Sequence, residues 1–109
     1  MGLYKINGKI KNNMNGESKK EKSYKHLERL VRGFSNHRRI EIMELLQRKP
    51  ELSVAQISKN LKINYKTASE HIRRLAIAGI ILKRSDATSV RHKLTARGQS
   101  ILKFLRILE

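Results

Sequence analysis

Residues 53–79 read SVAQISKNLKINYKTASEHIRRLAIAG and contain two helical patterns separated by a short polar break. The apolar residues of the first pattern recur at three- and four-residue spacing, which places them on one side of a helix: Val54, Ile57 and Leu61. Ser53 and Gln56 have the spacing of a capping box at the start of this helix. Two short helices joined in this way are typical of a helix-turn-helix, and we interpret the rest of the chain as its support.

The second pattern is amphipathic over residues 64–78. Its apolar stripe comprises Ala68, Ile72 and Leu75, and Asn64 is placed to cap the helix. The polar face carries Lys66, Thr67, Ser69, Glu70, Arg73 and Arg74, with Tyr65 at its edge. Such a polar face either contacts a binding partner or is simply exposed to solvent.

The chain has the length of one domain and a large excess of positive charge. Its 109 residues include 25 Lys and Arg against 9 Asp and Glu, so the formal net charge is +16. This excess favours a polyanionic partner, of which nucleic acid is the commonest, over a protein that is merely soluble. A membrane surface is the rival partner, but no apolar run approaches the roughly 20 residues that span a bilayer. The absence of a signal-peptide pattern predicts a cytoplasmic protein, and the absence of cysteine excludes disulfides and thiolate metal sites.

Residues 1–23 are rich in Lys, Asn and Gly and show no sustained apolar period. They are therefore predicted to form a flexible basic arm. Such an arm either follows DNA phosphates or is solvated without a role, and the composition leaves both alternatives open.

Residues 24–109 are predicted to form the folded domain. Helical periods are present over residues 24–34, 37–48 and 96–108, besides the two helices described above. Extended patterns at residues 80–84 and 90–94 flank a polar stretch and predict a hairpin, or wing. The expected fold is mainly α with a small β-hairpin, a winged helix-turn-helix in the order α-α-α-α-β-β-α.

The last helix has an apolar stripe that is wider than a small monomer is expected to cover. The residues of this stripe are Ile101, Leu102, Phe104, Leu105 and Leu108. Together with Leu27 and Leu30 of the first helix, they predict a homodimer interface. Packing of the last helix on its own domain is the alternative.

The order of the elements and several local motifs resemble winged helix-turn-helix regulators of the arsenic-repressor (ArsR) type. The motifs that carry the resemblance are Ser35-Asn36-His37-Arg38-Arg39-Ile40-Glu41-Ile42-Met43, the helix from Ser53 to Leu61, Thr67-Ala68-Ser69-Glu70-His71-Ile72-Arg73-Arg74-Leu75 and Ala78-Gly79-Ile80-Ile81. The stretch Leu94-Thr95-Ala96-Arg97-Gly98 is similar instead to an LTxxG pattern of multiple-antibiotic-resistance-type (MarR) regulators.

The resemblance implies a transcriptional regulator, such as a repressor, that binds double-stranded DNA as a homodimer and has no enzymatic activity. Residues 64–78 would enter the major groove, and the wing, residues 81–94, would lie on the backbone or in the minor groove. The candidate DNA-binding residues are Asn64, Tyr65, Lys66, Thr67, Ser69, Glu70, Arg73, Arg74, Lys83, Arg84, Arg91 and Lys93. Glu70 either accepts from a cytosine amine or forms an ion pair with Arg73 or Arg74.

No cofactor and no metal site are expected. Many ArsR-type proteins sense metals through cysteines on the first helix of the motif or through His and acidic residues on the last helix, and both sets are absent here. The four histidines, His26, His37, His71 and His92, lie on separate elements without ligand spacing, and His71 is expected to have a packing role. No cluster of residues resembles an active site.

The alternative function is a winged-helix module that binds RNA or an unidentified protein partner without sequence-specific DNA recognition. Steeply salt-dependent binding to duplex DNA with defined half-sites would favour the regulator, and preference for structured RNA would favour the module. A membrane-surface role is a weaker third hypothesis, because the basic and apolar residues belong to packed helices.

Overall fold

The computed structural model describes the backbone of residues 3–6, 9–12 and 14–109 and the side chains of residues 23–109. The chain divides into two compact units, Met1–Val31 and Arg32–Glu109. The elements in chain order are β1 Leu3–Ile6, β2 Lys9–Asn12, α1 Met14–Phe34, α2 His37–Arg48, α3 Val54–Leu61, α4 Tyr65–Ile77, β3 Ile81–Ser85, β4 Val90–Leu94 and α5 Ala96–Ile107. The predicted mainly α fold with the order α-α-α-α-β-β-α is confirmed from α1 onward.

The first unit contains more regular structure than the sequence predicted. Strands β1 and β2 pair in antiparallel register, with Leu3 opposite Asn12, and α1 begins at Met14 rather than near residue 24. Residues 17–22 are mostly Glu and Lys, which are strong helix formers, so this part of α1 follows from propensity and not from an apolar period. Residues 1, 2, 7, 8 and 13 of the predicted arm lie outside the described residues, and the role of the arm stays a prediction.

Helices α2 to α5 each begin at a capping side chain, and the sequence predicted the caps at Ser53 and Asn64. The Asn36 carboxamide oxygen accepts from two backbone amides at the start of α2, and Ser53 and Gln56 form a reciprocal capping box on α3. Asn64 caps α4 in the same way as Asn36, and the Thr95 hydroxyl accepts from the Gly98 amide at the start of α5. A cap of this kind typically contributes about 1 kcal/mol, so the four boundaries are encoded locally.

The core of the second unit is formed where α2 packs against α3, α4, α5 and the hairpin. The buried apolar residues are Ile42, Met43, Leu45, Leu46, Ile57, Ala68, Ile72, Leu75, Ile80, Ile81, Leu94, Ile101 and Leu102. The stripe predicted for α4 is therefore the buried one. Its burial fixes which face of α4 remains available to a partner.

The turn between α3 and α4 depends on one residue in an unusual conformation. Lys62 has a φ of 55°, in the left-handed region, and ends α3. The Ile63 amide then donates back to the Ser58 carbonyl at 3.1 Å, which satisfies one of the last carbonyls of the helix. This turn sets the direction in which α4 leaves α3.

The wing is anchored to the chain segment that precedes α3. Leu52 and His92 form an antiparallel bridge, and the His92 ring nitrogen Nδ1 lies 3.0 Å from the Leu52 carbonyl oxygen. His92 is 1% exposed, so the buried ring fixes strand β4 beside the helix-turn-helix.

The start of α5 is fastened to the turn that follows α4. The Thr95 hydroxyl lies 2.8 Å from the carbonyl oxygens of both Gly79 and Ile80, and Arg97 Nη1 donates to the Ala78 carbonyl at 3.0 Å. Gly98 is buried on the same side of α5. These contacts explain the Thr and Gly of the LTxxG pattern, because Thr95 and Gly98 both lie at the junction between α4, β3 and α5.

Candidate nucleic-acid interface

The exposed face of α4 carries nearly all of the residues that the sequence proposed for it. Ala68, Ile72 and Leu75 are buried beneath this face. The exposed members are Asn64, Tyr65, Lys66, Thr67, Glu70, Arg73 and Arg74, whereas Ser69 is half-buried. The Asn64 carboxamide oxygen accepts from the amides of Lys66 and Thr67 at 2.8 and 3.4 Å, so this acceptor is occupied by capping.

Glu70 is paired with both arginines of this face. Its Oε1 and Oε2 atoms accept from Arg73 Nη2 at 2.8 Å and Nε at 3.1 Å, and Oε1 lies 3.2 Å from Arg74 Nε. The hydrogen bonds from Arg73, followed by the charges of both arginines, lower the pKa of Glu70, so the carboxylate is ionised at neutral pH. Of the two alternatives for Glu70, the ion pair is therefore present in the free protein.

The wing concentrates its cations on one face. Arg84 is opposite Arg91 and Lys93 is opposite Leu82 in the register of β3 and β4, so these four side chains share a face of the hairpin. Lys83 is opposite the buried His92 on the other face, as strand alternation predicts. All four wing cations are exposed.

Two acidic residues that the sequence analysis did not connect with the wing neutralise part of its charge. Glu51 Oε1 accepts from Arg84 Nη1 at 3.0 Å, and Asp86 Oδ2 lies 4.0 Å from Arg91 Nε. The backbone amides of Thr88 and Ser89 donate to Asp86 and lower its pKa, so the tip of the wing carries a negative charge. The pair of Glu51 with Arg84 could not be read from sequence spacing, because the two residues become neighbours only in the folded protein.

Two half-buried side chains, Arg39 of α2 and His71 of α4, lie behind the exposed face of α4. Arg39 Nη1 donates to the carbonyls of Arg32 and Gly33 at 2.8 and 3.0 Å, so it caps the end of α1. Arg39 itself is half-buried. Burial, followed by the charge of Arg39, lowers the pKa of the half-buried His71, whose Nδ1 atom has no hydrogen-bond partner. His71 thus has the packing position that its pattern predicted.

The residues proposed for dimerisation fall into two groups. Ile101 and Leu102 are buried in the core of their own unit, so they lie beneath the outer face of α5 rather than on it. Phe104, Leu108 and the neighbouring Ile107 are 54%, 64% and 76% exposed, and Leu105 is half-buried. On α1, Leu27 is exposed and Leu30 is half-buried. Ile107 was missed by sequence reasoning, although it follows Phe104 at a spacing of three residues.

Within residues 23–109, no three acidic or histidine side chains are grouped closely enough to hold a metal ion. Across the described parts of the chain, no helix combines the length and the apolar character that crossing a bilayer requires.

Residues 36–83 match the family model described as the bacterial regulatory protein, arsR family. The match covers α2, both helices of the motif and the start of the wing, and it ends before the Leu94–Gly98 stretch that is similar to MarR-type regulators. A search among curated proteins found no match.

Solved structures of regulators share the fold. The homodimeric winged helix-turn-helix DNA-binding domain Mb0332 from Mycobacterium bovis, a possible ArsR-family regulator, is 21% identical with a TM-score of 0.75, over 82% of each chain. Reduced HlyU from Vibrio cholerae N16961 is 26% identical with a TM-score of 0.69, over 83% of this chain and 95% of that chain. NolR from Sinorhizobium fredii is 18% identical with a TM-score of 0.74, over 83% of this chain and 90% of that chain.

The family match and the fold agree with the geometry of α3, α4 and the wing. Both indicate a transcriptional regulator and not an enzyme. Residues 36–83 are thus similar to the arsR family of bacterial regulatory proteins, and the chain shares the winged helix-turn-helix fold of the solved regulators.

Proposed function

We propose that this protein is a sequence-specific transcriptional regulator that binds double-stranded DNA as a homodimer. Residues 64–78 enter the major groove, and the wing, residues 81–94, lies on the backbone or in the minor groove. The observation that carries the proposal is the exposed polar face of α4, which presents Lys66, Arg73 and Arg74 while its apolar face is buried.

The chemistry of this surface suits duplex DNA. Arg and Lys neutralise phosphates and release counterions, and a helix of this width fits the major groove, where every base pair presents a distinct pattern of donors and acceptors. The hydroxyl of Thr67 and the phenol of Tyr65 lie in the first turn of α4, where recognition helices contact base edges. The wing adds Arg84, Arg91 and Lys93 on a single face.

The exposed apolar face of α5 supports the dimer. Phe104, Ile107 and Leu108 are all more than half exposed, and apolar side chains at this spacing normally meet a partner surface. The related domain Mb0332 is homodimeric. Two copies of α4 in a symmetric dimer would contact half-sites that are separated by about one helical turn, roughly 10 base pairs.

Selection of bound duplexes from a random DNA pool tests the proposal. We expect enrichment of one motif with two inverted half-sites, because the symmetry of the operator follows that of the dimer. Recovery of no enriched motif would refute sequence-specific regulation. A parallel selection that enriched structured RNA instead would favour the RNA-binding alternative.

Substitution of Lys66 tests the proposed face directly. Lys66 is exposed, and within residues 23–109 it forms no ion pair, so Lys66→Ala should leave the melting temperature unchanged. Loss of one phosphate contact should weaken binding to all duplexes alike and reduce the slope of log K against log salt by about one.

Lys103→Ala is the matched control, because it removes the same charge from an exposed position on α5. It should change the salt slope little. Equal slopes for the two variants would show that the wrong face has been assigned.

A further inference from the structure

Glu70 leaves one edge of Arg73 free. A guanidinium has five N–H donors in a planar fork. The two Glu70 oxygens take the Nε hydrogen and one Nη2 hydrogen of Arg73. The remaining edge, formed by Nη1 and the other hydrogen of Nη2, presents two parallel donors. Two parallel donors are what the O6 and N7 acceptors of guanine require.

The same carboxylate lowers the attraction of α4 for DNA in general. Glu70 is the shared partner of Arg73 and Arg74, so three charged groups on this face carry a net charge of only about one. A phosphate that approached either arginine would also approach the carboxylate, which repels it. Contact with the backbone of any sequence is therefore weakened, whereas the free edge of Arg73 remains available to a base.

The ion pairs of Glu70 set the arrangement of three side chains on α4, but they contribute little to the fold. Arg73, Arg74 and Glu70 have side chains that are 53%, 54% and 48% exposed, and ion pairs at such exposure contribute little to stability. Both pairs also lie within α4, at spacings of three and four residues. A change at Glu70 should consequently appear in DNA binding and not in folding.

We propose that Glu70 is a positioning residue that sets the sequence selectivity of this protein. It holds Arg73 by its Nε edge, so that the opposite edge recognises a guanine, and it weakens binding to DNA of any other sequence. This inference rests on the proposed function. It adds guanine as the recognised base, and it adds Glu70 as a residue that acts through Arg73.

The test compares Glu70→Gln with the wild-type protein on two duplexes of roughly 30 base pairs, about three helical turns. One duplex is the best sequence from the wild-type selection, and the other has random sequence. Glu70→Gln should bind the random duplex about threefold more tightly, since one repulsive charge at an exposed site is removed. Its preference for the selected duplex should fall, and a repeated selection should show a relaxed guanine preference at one position of each half-site.

Two further variants separate orientation from charge. Arg73→Lys keeps the positive charge but has no fork, so it should lose the guanine preference while the salt slope is retained. Glu44→Gln is the matched control, because Glu44 pairs with Arg106 of α5 and not with a residue of α4. Glu44→Gln should keep the wild-type preference for the selected duplex.

The outcomes distinguish this inference from the proposed function. Wild-type protein that binds no duplex overturns both. Wild-type protein that binds selectively, with Glu70→Gln or Arg73→Lys retaining the full guanine preference, overturns the role of Glu70 alone. Equal changes in selectivity for Glu70→Gln and Glu44→Gln also overturn it, because the effect would then be one of net charge.

Discussion

Gly98 occupies a position in α5 where no larger side chain fits. A Cβ atom at this residue would lie 2.4 Å from Leu94 Cδ1 and 2.5 Å from the Ile80 carbonyl oxygen. The Leu94 side chain could move, but the Ile80 carbonyl is part of the backbone that Thr95 contacts. The close approach explains why a helix that would otherwise favour Ala has Gly here.

Gly98→Ala is accordingly expected to destabilise the protein. The added methyl group should displace α5 from Ile80, at a cost of about 1–3 kcal/mol, which is typical of overpacking. Urea unfolding followed by circular dichroism measures this change. As a control, Ser100→Ala alters an exposed position of the same helix and should change stability by less than about 0.5 kcal/mol. A Gly98→Ala protein as stable as the wild type would contradict the crowding at this residue.

At the residue scale, local roles were predictable from the sequence and tertiary roles were not. The caps at Ser53 and Asn64 were identified because a cap lies within three residues of the amide that it serves. Arg39 and Glu51 were not, because their partners Gly33 and Arg84 become neighbours only after α1, α2 and the wing are placed.

At the scale of elements, the anchoring of β4 depends on a titratable group. The ring of His92 is buried, and burial, followed by the charge of Lys83, lowers its pKa, although the hydrogen bond with the Leu52 carbonyl opposes this shift. The unfolded chain, with an ordinary histidine pKa of about 6.5, then binds a proton more readily than the folded protein. Stability contributed by neutral His92 is thus present above about pH 6.5 and is lost as the pH falls below that value.

We therefore expect the free energy of unfolding to decrease between about pH 7.5 and pH 5.5, by at most about 1.4 kcal/mol per pH unit for this group. Urea denaturation at several pH values measures the slope. In His92→Gln the buried group does not titrate, so the slope should be shallower. His71, whose pKa is also lowered, remains in both proteins and contributes with the same sign. Equal slopes would mean that His92 is not the group responsible.

Elements with a buried face were predicted closely. The bounds of α2 were predicted as residues 37–48, as observed, and α4 was predicted as 64–78 and spans Tyr65–Ile77. The start of α1 was missed because residues 14–22 have no apolar period to detect. The spacing of apolar residues identifies helices that pack on a core. It does not detect a helical segment that forms by propensity alone.

At the scale of the whole molecule, the charge and the dimer are connected. The formal charge of +16 belongs to each chain, so a dimer would bring two strongly basic chains together. The apolar surface on α5 must offset that repulsion. Sequence reasoning found the charge and the apolar stripe, but it could not separate buried Ile101 and Leu102 from exposed Phe104 and Leu108, since all four belong to the same stripe.

Ile107→Glu should convert the proposed dimer to a monomer, because Ile107 is 76% exposed and a carboxylate in an apolar interface is costly. Sedimentation equilibrium measures the mass, and DNA affinity should fall because each half-site would then be bound separately. Gln99→Glu places the same charge on an exposed polar position of α5 and should leave the mass unchanged. A dimeric Ile107→Glu protein would exclude this face as the interface.

The junction formed by Thr95, Arg97 and Gly79 has a mechanical consequence. Thr95 and Arg97 bind the first turn of α5 to the carbonyls of Gly79 and Ala78 just after α4, so a rotation of α5 would be passed to the end of α4. If α5 pairs with α5 of a second chain, a small change in the angle between the two protomers would displace the far end of α4 by a larger distance.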